Sequence, residues 1–203
     1  MNLSLQPERL LELVRKWWLS LILILFSWFI VKQFWWALEF NIFFAVHYKH
    51  VFGFKFIYFV MDTVTLIIHE AGHTFLRFSG SELLMILGGT IFQLLIPFLV
   101  FVFGWWNKKQ YTTQLALYWL GFSWLDTAAY CADARLRQMP LLGDLPKSAH
   151  DFYNILTRLN MMEHYQIIAW SFFGIGFLVL VIAIIWPLFI RKELEHIHID
   201  LKL

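Results

Sequence analysis

The sequence predicts an all-α fold: a polytopic membrane helix bundle of about five transmembrane helices plus short interfacial helices. Two observations carry this prediction. Hydrophobic residues make up 60% of the 203-residue chain and aromatic residues 20%, whereas charged residues make up only 15%, against about 25% in an average soluble domain. Mean hydropathy is correspondingly positive. The apolar runs are also long, on the scale of the roughly 20 residues a helix needs to cross a bilayer. A soluble chain of this size has no interior large enough for that much apolar surface. Residues 1–203 therefore read as a single integral membrane domain, multi-pass, with the lipid bilayer as its first partner.

The chain divides into elements in order. Residues 1–16 read as an interfacial lead-in, with Leu10, Leu11 and Val14 on one helical face. Arg15, Lys16, Trp17 and Trp18 mark a membrane interface, where cationic tips and indoles both settle. The first span begins at residue 19 and runs through residue 31 toward Trp35 and Trp36. No small-residue cleavage site follows it, so no cleavable leader is predicted. Residues 37–54, with His47, Lys49 and His50, form an interfacial connection. A second helix covers residues 54–78 and ends at Ser79-Gly80, a C-cap pattern. Ser81-Glu82 suits the start of the next helix.

The third span covers residues 83–106, with Gly88-Gly89 permitting close helix approach and Pro97 a candidate kink. The fourth covers residues 112–134 and carries Asp126 and Asp133. Residues 54–134 thus hold the core helices of the candidate site. Residues 135–150 form the one clear loop, after which Ser148-Ala149-His150-Asp151 starts a short helix with the form of a capping box. The last span covers residues 167–190, and residues 191–203 form a charged, solvated tail.

Composition also excludes function classes. A net charge of +2 gives no basis for nucleic-acid binding, and the single cysteine, Cys131, rules out an internal disulfide framework or a Cys-rich zinc site. Arg9, Arg15, Lys16, Arg77, Arg135, Arg137, Lys147 and Arg158 fall on one side of such a bundle, and an equal number of Lys and Arg on the other. The positive-inside rule therefore sets no orientation. Too few paired histidines are present for a diiron hydroxylase, and no inverted repeat suggests a transporter.

The chemistry concentrates in His69-Glu70-Ala71-Gly72-His73, an H-E-x-x-H pattern inside an apolar helix. Helical spacing puts His69 and His73 one turn apart on one face, where two imidazoles can bind one Zn2+. Glu70 points off that face and can reach a water beside the ion as general base. Each charged group at mid-membrane costs about 2.5–3.5 kcal/mol on the insertion scale, so ionisable groups there are functional by default. Zinc needs a third protein ligand. The candidates are Asp126, Asp133, His150 and Asp151. His69 lies about two turns before Arg77, and Asp126 a similar distance before Arg135. With both arginines at one interface, His69 and Asp126 share a depth of about 12–14 Å at 1.5 Å per residue. That makes Asp126 the first choice. Asp133, His150 and Asp151 remain as alternative third ligands or as partners that orient a histidine. Asp133 also has an ordinary reading as an ion pair with Arg137, and Asp151 as a helix-start carboxylate.

These residues resemble the site-2 protease family of intramembrane zinc metallopeptidases. His69-Glu70-Ala71-Gly72-His73 matches the family's zinc motif. Gly89-Thr90-Ile91-Phe92-Gln93 is similar to its G-x-x-x-N element, with Gln in place of Asn. Leu125-Asp126 resembles the L-D-G motif whose Asp is the third zinc ligand. The likeness covers roughly residues 60–135 and has departures: Thr127 stands where Gly is expected, no N-x-x-P precedes Asp126, and no PDZ or CBS-like region is present. The resemblance implies hydrolysis of a peptide bond in or near the membrane, in a membrane protein or peptide substrate. Zinc would polarise the carbonyl, and Glu70 would pass a proton from water to the leaving amine. The competing expectation is a non-catalytic membrane protein, a metal-binding scaffold or degenerate peptidase that recruits a partner, for which Glu70 would be dispensable.

Overall fold

The structure, a computed structural model, describes residues 7–41 and 54–189. The opening of the lead-in, His47, Lys49, His50, His196, His198 and the tail lie outside the described residues. The described residues are helical, with no strand among them. Six α-helices are present among them: α1 (Pro7–Phe40), α2 (Phe54–Leu76), α3 (Glu82–Trp106), α4 (Gln110–Ala132), α5 (Asp151–Arg158) and α6 (Tyr165–Ile185). Short 3-10 turns link several of them.

The expected lead-in and first span are one continuous helix, α1, 34 residues long. Its only proline is at the first helical position, where no backbone donor is lost, and it contains no glycine, so nothing breaks it at the Arg15–Trp18 interface. Leu19, Leu23, Phe26, Ile30, Phe34 and Ala37 recur at helical spacing and are buried against α4 and α6.

Helix α4 is central, packing against α1, α3 and α6. Because neighbours surround it, it buries residues all round, including Gln114, Ser123 and Thr127. Part of this polar surface is satisfied internally, although Gln114 Oε1 and Ser123 Oγ are buried without a partner among the described residues. Gln114 donates to Ser20 Oγ at 2.8 Å and to the Ala183 carbonyl at 3.0 Å, and Thr127 donates to the Ser123 carbonyl at 2.8 Å. Helix α6 lies close to α4 because Gly176 and Gly121 leave room: a Cβ on Gly176 would stand 2.9 Å from the Gly121 carbonyl oxygen.

Helix α2 packs on α3. The contact is backbone to backbone, since a Cβ on Gly72 would overlap the Gly88 carbonyl. The turn between them ends with Gly80 at φ 73°, and the Ser81 hydroxyl caps α3 by accepting from the Leu84 amide at 3.4 Å.

Three helical stretches are long and apolar enough to cross a membrane: Leu10–Phe40, Glu82–Trp106 and Met162–Leu188. Helices α2 and α4, at 23 residues each, have the length, but Asp62, His69, Glu70 and His73 in α2, and Gln110, Gln114 and Asp126 among other polar residues in α4, lower their apolarity. Among the described residues, length and apolarity alone therefore mark three of the expected five spans. Large apolar side chains face outward on all sides, among them Leu25, Trp28, Phe98, Phe103, Ile167 and Leu178. A soluble monomer rarely exposes so extensive an apolar surface.

Candidate metal centre

Three side chains from two elements meet at one point. His69 Nε2 stands 2.9 Å from Asp151 Oδ2, and His73 Nε2 stands 3.1 Å from the same oxygen. Ligand atoms of the three residues all lie within 4.8 Å of one another. Atoms that each sit 2.0–2.1 Å from one tetrahedral zinc ion are about 3.3 Å apart. The two contacts to the Asp151 oxygen are a little shorter than that value and are also hydrogen-bond distances.

The far nitrogens of both rings are engaged. His73 Nδ1 is 2.8 Å from the Met85 carbonyl, which can only accept, so Nδ1 carries a proton. His69 Nδ1 is 2.8 Å from Gln93 Oε1. With protons on both Nδ1 atoms, the neutral rings aim lone pairs from Nε2 toward the Asp151 oxygen. Burial alone would push the Asp151 carboxyl up; with protons also on the two Nε2 atoms, hydrogen bonds and charge interactions with His69 and His73 outweigh burial and hold it below the ordinary carboxylate value. An anionic oxygen and two nitrogen lone pairs repel unless a positive charge lies between them, either added protons or a cation. Two imidazoles and one carboxylate form a donor set that zinc accepts.

Room for an ion comes from Gly89 on α3. A Cβ there would overlap Nε2 of both histidines. A shallow cavity of about 190 Å3, lined by Arg77, Gly80, Ser81, Glu82 and Met85, opens at the α2–α3 turn. Glu70 is half-buried on α2 directly after His69.

Asp151 is delivered by α5, whose apolar residues Phe152, Ile155 and Leu156 are buried. The helix is capped by His150, whose Nδ1 accepts from the Tyr153 amide at 3.3 Å. Ser148 is not the cap; its carbonyl accepts from the Asn154 side chain at 2.8 Å. Asp151 is therefore free to turn toward the histidines. Its own amide donates to the Tyr130 hydroxyl at 3.2 Å, and the Tyr130 ring stacks on His150 with centroids 4.2 Å apart. Arg158 pairs with Glu82 at 2.5 Å and ties α5 to the start of α3. Both partners are well exposed, so this contributes at most about 1 kcal/mol.

The four acidic and histidine candidates thus separate. Asp151 joins His69 and His73. Asp126 does not reach the imidazoles; its Oδ2 accepts from Gln93 Nε2 at 2.9 Å. The Gln93 side chain, from α3, lies between Asp126 and His69 and contacts both. Asp133 terminates α4 and accepts from the Gln138 and Met139 amides at 2.7 and 2.8 Å. It does not pair with Arg137, whose guanidinium lies over the Tyr153 ring at 4.2 Å. His150, fully buried, turns Nε2 toward Asp133 Oδ2 at 3.5 Å, too long for a good hydrogen bond. It is a capping residue and not part of the converging set.

Sequence reasoning met Gln93 only as part of the G-x-x-x-N-like element, without a partner for it, and gave no role to the Met85 carbonyl. A lone amide in the apolar run of α3 was the further signal for Gln93, since a buried amide must be satisfied. Comparison with family models, with curated proteins and with solved structures finds no match to this chain.

Proposed function

We propose that the protein is a multi-pass membrane zinc metallopeptidase, similar to the site-2 protease family, that cleaves a peptide bond in or near the bilayer. The observation that carries this reading is the convergence of His69 Nε2, His73 Nε2 and Asp151 Oδ2 beside the Glu70 of an H-E-x-x-H helix. Zinc bound there supplies Lewis acidity to polarise a carbonyl and acidify water. The chain supplies the rest. His69 and His73 bind through Nε2 because their Nδ1 atoms are held by Gln93 and Met85. Asp151 provides charge compensation from α5. Glu70 takes a proton from water and returns it to the leaving amine, so the carboxylate ends the cycle as it began. The exposed apolar surface supports a bilayer setting, with α2 and α4 as fourth and fifth spans, their polar faces turned to the site and away from lipid.

The test is metal content together with cleavage. The full chain purified in detergent should hold about one zinc per molecule, and His69→Ala should lose it. Glu70→Gln should keep zinc and lose cleavage of a membrane-segment substrate by on the order of 10²–10⁴-fold. Undiminished cleavage by Glu70→Gln would remove the assigned role, and metal binding with no cleavage in the wild type would leave a metal-binding scaffold. Accessibility mapping with cysteines placed in the α1–α2 and α2–α3 connections should find them on opposite membrane sides. The same side for both would refute the five-span arrangement.

A further inference from the structure

We propose that Gln93 and Asp126 are positioning residues of the metal centre, acting through a buried chain that fixes which nitrogen of His69 faces the ion. This rests on the metal-centre reading above. Gln93 is buried on α3 and bridges three residues. Its Nε2 faces two oxygen atoms, the Ser123 carbonyl at 3.3 Å and Asp126 Oδ2 at 2.9 Å. Its Oε1 faces His69 Nδ1 at 2.8 Å. Turning the amide over would set Oε1 against the Ser123 carbonyl oxygen. The Ser123 and Asp126 oxygens therefore decide the orientation of Gln93. The orientation of Gln93 requires a proton on His69 Nδ1, and that proton leaves the Nε2 lone pair for the ion. His73 needs no such device, because a main-chain carbonyl, that of Met85, holds its Nδ1. The two imidazoles are thus fixed by different means, and only the His69 side depends on side chains that never touch the metal. In this arrangement Asp126, although it lies away from the imidazoles, acts on the centre from α4 across α3.

The experiment measures zinc affinity by chelator competition, and the visible spectrum of the cobalt-substituted protein, on the full chain in detergent. Gln93→Leu keeps volume and removes both hydrogen bonds. It should weaken zinc binding about 10–100-fold, the range for partners that orient a ligating histidine, and alter the cobalt spectrum. Asp126→Asn keeps an oxygen that accepts from Gln93 and should stay near wild type, whereas Asp126→Leu should weaken binding in the direction of Gln93→Leu. The Asp126→Leu and Asp126→Asn pair carries the same test should Gln93→Leu fail to fold. A purely structural hydrogen bond would lower the melting temperature of the metal-free protein and leave affinity and cobalt spectrum unchanged. That result in Gln93→Leu, or equal affinities for Asp126→Leu and wild type, overturns the inference while the metal centre stands. A wild-type chain that binds no zinc overturns the metal centre itself, and this inference with it.

Discussion

The centre depends on atoms that only one kind of residue supplies at each position. His69 and His73 each use one ring nitrogen inward and one outward, so neither can be replaced by a side chain with a single polar end. Gly89 is fixed by a space requirement. A single methyl group on α3 would sit against both Nε2 atoms. Gly89→Ala should therefore abolish stoichiometric zinc binding while leaving the helical content, read by circular dichroism, intact. Alanine is the better helix former by about 1 kcal/mol, so a loss of zinc could not be attributed to a weakened helix. Full zinc occupancy in Gly89→Ala would mean that the ion does not lie against α3. His69, His73 and Glu70, the proposed ligands and base, were legible in the sequence because they share one helix, where spacing alone fixes their faces. Asp151 was visible only as one of several acids, and its capping-box setting, Ser148-x-x-Asp151, pointed away from the histidines it meets. The cap is His150, which frees the carboxylate.

At the scale of elements, the depth argument that favoured Asp126 treats helices as parallel rods and compares positions along them. It carries no information on lateral order. Gln93, from α3, reaches in between Asp126 and His69. A short helix after a loop, which no periodicity argument can place, folds back onto α3 and α4 and supplies the third donor. The loop that precedes it is held by Asp133, which accepts two main-chain amides and faces His150. Asp133→Ala would leave buried donors without acceptors, at about 1–3 kcal/mol for each group unsatisfied. It should lower the thermal stability of the metal-free protein. It should also weaken zinc binding, because α5 would no longer be fixed over the histidines. Chelator competition on Asp133→Ala checks this, and unchanged affinity would separate the loop from the site. The long apolar helices α3 and α6 were legible almost to their ends. The junction in α1 was not, because an interfacial Arg-Lys-Trp-Trp cluster has no effect on a helix that lacks a breaking residue.

For the molecule as a whole, a few polar groups lie within an apolar interior, and large apolar groups also face outward. Ser20, Ser27 and Gln114 bridge α1, α4 and α6 by hydrogen bonds where water is excluded. In an apolar solvent such groups have no alternative partner, so internal satisfaction is required. The same exclusion makes a carboxylate between two neutral imidazoles costly, and a divalent cation would relieve that cost directly. The account therefore stands or falls on the ion and its ligands. Diffraction from crystals of the full chain, recorded at the zinc absorption edge, tests this most directly. The account predicts one anomalous peak, with His69 Nε2, His73 Nε2 and an Asp151 oxygen each about 2.0–2.2 Å away. No peak at this site, or a peak ligated by Asp126 in place of Asp151, would contradict it.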